Sequence, residues 1–164
     1  MEEIIQLRDN HQETRFDQLV EESIVLEIER PMDYDVFFKQ VANVMAESGD
    51  ISKDTLYQLL MEREKDLSTA LRPDLAIPHI IIDGQNTFRM LLARSKPGIY
   101  FSDLAPKVHA VFVLMGTRDQ RNHHLYVLSA IAEIVQQTQF QERWMKAKNE
   151  TTLRNIARLR KAVR

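Results

Sequence analysis

The chain has 164 residues, enough to bury roughly 70% of its unfolded surface, so one domain can form without disulfides or a structural metal. An apolar share of 44% beside 28% charged residues is that of an ordinary soluble globule, and a formal net charge of −2 gives no general pull towards nucleic acid or membrane. The absence of cysteine excludes disulfides, thiolate metal sites and cysteine nucleophiles, and glycines only at 49, 84, 98 and 116 cannot build a phosphate-cradling loop.

Residues 1–15 are acidic and polar, with no apolar signal-peptide core, and are expected to form an N-terminal arm carrying His11. A single domain is expected over residues 16–164. "IVLEI" (24–28) reads as a first strand. Pro31 and Asp33 then open a helix with Phe37, Val41, Val44 and Met45 at helical spacing, which Gly49 stops. Ser52 is a suitable N-cap for a second helix, "KDTLYQLLMERE", with Leu56, Leu59 and Leu60 on one face.

Arg63 continues that apolar stripe at the helix's C-terminal end. Its stem either covers apolar surface while the guanidinium reaches water and complements the helix dipole, or it serves a site. From Leu75 the period changes: "LAI", "FRMLLAR", "GIYF" and "HAVFVLM" are short runs bounded by Pro, Asp-Gly and Pro-Gly signals, as strands are. The last run is nearly all apolar, as befits a central strand covered on both faces, and is too short to cross a bilayer. A long helix over residues 121–136, a short one around Trp144 and a basic one carrying Leu153, Ile156, Leu159 and Val163 inward complete the chain. The pattern predicts an α/β (α+β) sandwich, a central mixed sheet of about five strands flanked by helices on both faces.

The histidines differ in context. His109 lies within a strand pattern and reads as a satisfied sheet histidine. At about 100° per residue, His124 falls along the mean apolar direction of its helix, while His123 points sideways or outward. His124 is then core, cap or site. Pro78 fixes its own φ and holds Ile77 extended, so His79 follows a strand end in a defined direction, where α/β proteins place reactive groups and also purely structural histidines. Two histidines without HExxH, CxxC or a third ligand make a weak zinc pattern, and no glycines form a nucleophile elbow around any serine.

"LLMEREKDLSTALRPDLAIPH", with "RNHHLYVLSAIAEIV" further on, resembles the IIA domains of the fructose–mannitol class of the bacterial phosphoenolpyruvate-dependent sugar phosphotransferase system. The resemblance runs over about residues 16–144. It implies that His79 carries a phosphoryl group, that His124 is the second active-site histidine, that Arg63 stabilises the phosphate and that Thr69 donates a hydroxyl to it. It implies a cytoplasmic phosphocarrier without cofactor or metal, loaded by the histidine-containing phosphocarrier protein and discharged to a IIB component.

Two positions depart from the family pattern. Asp74 and Ile80 stand where members commonly have glycine, and are expected to bring negative charge and steric bulk to the approach of a partner. They favour the other reading of the resemblance, a regulatory domain like the nitrogen-related IIA proteins or the IIA-like domains attached to membrane ion or amino-acid transporters. The basic C-terminal "RNIARLRKAVR" lacks interleaved aromatics and reads as a solvated helix face, not a nucleic-acid site.

Overall fold

The computed structural model describes residues 2–47, 49 and 51–158. In chain order the elements are α1 (Glu2–Glu22), β1 (Ile24–Ile28), β2 (Met32–Asp33), α2 (Tyr34–Ala46), α3 (Lys53–Asp66), β3 (Ala70–Arg72), β4 (Leu75–Ala76) and β5 (His79–Ile82), followed by β6 (Phe88–Tyr100), β7 (Val108–Thr117), α4 (Arg121–Val135), α5 (Phe140–Lys146) and α6 (Glu150–Ile156). Asp33 and Ser52 cap α2 and α3, each accepting from the backbone N–H three residues on.

The sheet is mixed, with spine order β1-β6-β7-β4-β3. The long strands β6 and β7 pair antiparallel at its centre. β1 and β2 follow one another parallel along β6, and β4 and β5 do the same along β7. The two strands beyond the expected five come from small events. Pro78 lacks the N–H to continue a ladder and splits the strand along β7 into β4 and β5; β3 and β2 are too short to show a period. Conversely, "FRMLLAR" and "GIYF" form one strand, β6, with an irregularity between Arg94 and Ile99. Gly98 sits there at φ +97°, and a Cβ on it would lie 2.8 Å from that of Lys107, so only glycine fits.

Side chains alternate across the sheet and feed two cores. Ala110, Phe112 and Leu114 of β7 pack with α1, α4, α5 and α6, while Val111, Val113 and Met115 pack under α2 and α3. The C-terminal part of α1 belongs to the first layer. α1 runs unbroken across the expected boundary at residue 15, and its Phe16, Leu19 and Val20 are buried. No Gly or Pro interrupts residues 2–22, so the helix propagates from this anchored end into a polar stretch with no apolar period of its own. Of the expected inward residues of the last helix, Leu153 and Ile156 are buried, and Leu159 and Val163 lie outside the described residues.

Candidate active site

His79 is the first residue of β5 and opens a strand instead of ending one, beside Leu114 of β7. Its Nδ1 lies 3.0 Å from the carbonyl of Ile77. A carbonyl can only accept, so the proton is held on Nδ1 and the lone pair is left on Nε2. Arg63 approaches that nitrogen, with Nη2 at 3.4 Å. The guanidinium is held by Nη1, which donates to Leu67 O at 2.9 Å, one of the open carbonyls at the end of α3. Arg63 therefore faces His79 instead of only reaching water, and its position on the inward stripe follows from the strand that α3 covers.

The buried Glu64, missed in the sequence, secures the turn between Arg63 and His79. Its carboxylate accepts from the backbone N–H of Thr69 at 3.0 Å and from Thr69 Oγ1 at 2.6 Å. The Thr69 carbonyl in turn accepts from Ile77 N at 3.0 Å, and Ile77 is the residue that orients His79. This corrects the expected role of Thr69. Its single hydroxyl proton is committed to Glu64 and is not available to a phosphate. The only sequence signal for Glu64 was the second acid of "ERE".

His124 stands edge-on to His79, with ring centroids 5.3 Å apart. Its Nε2 is buried without a partner among the described residues. Burial, then the neighbouring His79, pushes its pKa down, which favours a neutral ring. The helix arithmetic fails for its neighbour: His123 is buried, 3% exposed, with Nδ1 2.8 Å from Gln12 Oε1 of α1. The error arose because Leu125 and Leu128 pulled the apolar mean away from the core. Leu125 is 56% exposed, and both leucines line the pocket in front of His79. His124 points to that pocket and His123 to the core, where the unforeseen α1 covers it. Phe88 packs edge-on against both imidazoles, at 4.9 Å from His123 and 5.6 Å from His124.

The pocket holds about 480 Å³, and Ile81, Thr117, Arg118 and Arg121 line it with the two histidines. With cations and imidazoles but no carboxylate, this lining suits an anion better than a metal ion. Asp74 and Ile80 do not have the effects expected of them. The Ile80 side chain alternates away from His79 and is buried with Ala76, Ile82 and Met115 under α2 and α3. Asp74 lies 3.3 Å from Arg72 Nε and lines a different hollow, roughly 15 Å from His79 along the sheet at about 3.3 Å per residue. His109 is satisfied as expected, its Nδ1 2.7 Å from Ser95 O.

Residues 18–158 match the family model described as "Phosphoenolpyruvate-dependent sugar phosphotransferase system, EIIA 2". The chain is 25% identical over 140 residues to the fructose-specific EIIABC component of Bacillus subtilis, covering 84% of this chain but only 22% of that protein's length. The crystal structure of the nitrogen regulatory protein IIA-Ntr from Neisseria meningitidis superposes with a TM-score of 0.74 at 25% identity, over 82% of this chain and 92% of the other. At 13% identity and a TM-score of 0.64, covering 81% of this chain and 92% of the other, the fold is also that of a chain in the complex of enzyme IIAMTL and phosphorylated enzyme IIBMTL from Escherichia coli.

Proposed function

Since this chain belongs to the EIIA type 2 family of the phosphoenolpyruvate-dependent sugar phosphotransferase system, we propose that it is a phosphohistidine carrier whose acceptor atom is His79 Nε2. One observation carries this reading: with Nδ1 held by Ile77 O, the free nitrogen of His79 faces the anchored guanidinium of Arg63. The donor is the histidine-containing phosphocarrier protein and the acceptor a IIB component, as the IIA–IIB complex of the mannitol relative suggests. The Nε2 lone pair attacks phosphorus as the donor's N–P bond breaks, and the electron pair of that bond returns to the donor imidazole. The proton of His79 stays on Nδ1, hydrogen-bonded to Ile77 O, throughout. Such transfers have loose transition states with charge on the equatorial oxygens, so positioned cations do most of the work. Arg63 supplies that charge from a fixed place. His124, edge-on and with its Nε2 unpartnered, is the second donor to the phosphoryl oxygens or the group that orients His79. Thr69 acts indirectly, through Glu64 and the Ile77 carbonyl.

The functional unit comprises both helical layers, α1 included. Among the described residues no helix is long and apolar enough to cross a membrane. The cytoplasmic location belongs to the phosphocarrier reading itself, since the donor protein works there. The test is incubation with phosphoenolpyruvate, enzyme I and the phosphocarrier protein, followed by intact mass. A single acid-labile phosphoryl adduct is expected, absent in His79→Gln and formed about 10²-fold more slowly in Arg63→Ala. An adduct retained by His79→Gln would overturn the assignment.

The likeness to a nitrogen regulatory protein favours a second reading, a regulatory domain acting on a membrane transporter or another partner. Ile80 and Asp74 lend it no support in the folded chain. Discharge of the adduct by a IIB protein separates the two readings: a carrier is emptied, a sensor retains its phosphoryl group.

A further inference from the structure

We propose that Gln12 and Arg15 of α1 are positioning residues for His124: they brace the first turn of α4 from outside, in place of the N-cap that this helix lacks. The effect on rate rests on the phosphocarrier reading; the effect on the His124 ring does not. α4 opens with Gln120 at its N-cap position, and no side chain caps it. Glutamine is outside the Ser, Thr, Asp and Asn set that normally satisfies the first amides of a helix. The adjacent acid is engaged elsewhere: Asp119 accepts from Thr117 Oγ1 and, at 2.9 Å, from the backbone N–H of Asn86. The turn left without a cap is the one that carries His124, where the backbone amides have no partners within the helix.

Two hydrogen bonds from α1 reach this turn. Arg15 Nη2 donates to Gln120 Oε1 at 2.6 Å and fixes the N-cap residue. Gln12 Oε1 accepts from His123 Nδ1 at 2.8 Å and fixes the residue before His124. The partners are 105 and 111 residues apart in sequence, so the brace is wholly tertiary. Gln12, Arg15, Phe16 and Leu19 stand at i, i+3, i+4 and i+7, on one face of α1. Phe16 and Leu19 are buried, so the two polar side chains are presented by an anchored stretch of helix. Both are half-buried, where a hydrogen bond holds more firmly than in open water.

The path from the brace to the chemistry is short. Phe88 packs edge-on against both imidazoles, and His124 in turn stands 5.3 Å from His79. The buried Nε2 of His124 has no hydrogen bond of its own, so the ring's place follows the backbone of its turn and the Phe88 ring. A turn that loosens carries His124 away from His79, and a displacement of roughly 1 Å is enough to slow a transfer that depends on positioning.

The test compares Q12L/R15M, which removes both bonds, with Gln12→Glu and Arg15→Lys, which keep the acceptor and the donor. Leu153→Ala, which opens a cavity in the same core layer at α6, is the control for general loosening. Long-range 1H–15N spectra of the histidine rings are recorded at pH 8 without any phosphoryl donor. Adduct formation is then timed at several concentrations of the phosphocarrier protein. We expect Q12L/R15M to shift the His124 ring signals and to lower the maximal adduct rate about tenfold, with the half-saturating phosphocarrier concentration unchanged. Gln12→Glu and Arg15→Lys should keep the wild-type rate, and Leu153→Ala should lower the thermal midpoint while leaving the His124 signals in place. Unchanged His124 signals in Q12L/R15M overturn the proposal. So does the same shift in Leu153→Ala, since loosening of the layer would then be its cause. The ring spectra decide the brace even if the wild-type chain takes no phosphoryl group, an outcome that overturns only the phosphocarrier reading.

Discussion

His123 and His124 are adjacent in sequence but have different surroundings. Burial, followed by the charge of Arg15, pushes His123 down to about 4, so the folded chain keeps this ring neutral where an unfolded one takes a proton. The unfolded state therefore binds more protons between about pH 6.5 and 4, and stability from this residue falls as pH falls through that window. The thermal midpoint of the wild-type chain should drop more steeply from pH 6.5 to 4 than that of His123→Gln. Parallel curves would show that the ring is not held neutral. His79, the proposed phosphoryl acceptor, stood out in the sequence because Pro78 and its "AIPH" setting mark it, and Arg63 because a cation interrupts an apolar stripe. Glu64 left almost no trace, because its burial depends on a turn that brings Thr69 back five residues later.

The register of β6 on β7 sets Phe88 opposite Gly116 and so fixes the wall on which both imidazoles rest. A Cβ at residue 116 would lie 2.6 Å from the Phe88 ring. Gly116→Ala is therefore expected to displace that ring, at a cost of about 1–3 kcal/mol in denaturant unfolding. The same shift should slow adduct formation on His79 severalfold, through His124; destabilisation with an unchanged adduct rate would disconnect Phe88 from the site. Strand alternation likewise settles Ile80. Its place beside His79 in sequence suggested an obstacle, yet neighbours on a strand face opposite ways, and it is Ile81 that meets the pocket. α1 was the element least visible in the sequence, since half of it shows no apolar period and the helix is anchored by Phe16, Leu19 and Val20 near its end.

The helical layer containing α5 is joined to the sheet by a buried cation far from the chemistry. Arg94 of β6 is 5% exposed; it donates to Glu27 of β1 and to the carbonyls of Trp144 and Ala147 at the end of α5. Arg94→Met should leave these acceptors unmatched and cost about 3 kcal/mol, read as a lower urea midpoint. Its adduct rate should stay that of wild type, because Arg94 pairs with Ala110 while His79 pairs with Leu114, four residues further along β7. Local pattern was enough for the sandwich, the central apolar strand, the helix caps and the family motifs, because periodicity, Pro and Gly punctuation and short motifs act over a few residues. The direction in which His123, His124, Ile80 and Asp74 point depended on which distant segments cover them. Long-range packing made that choice: α1 closes over one histidine, the pleat turns Ile80 inward, and Arg72 holds Asp74 near the far end of the sheet.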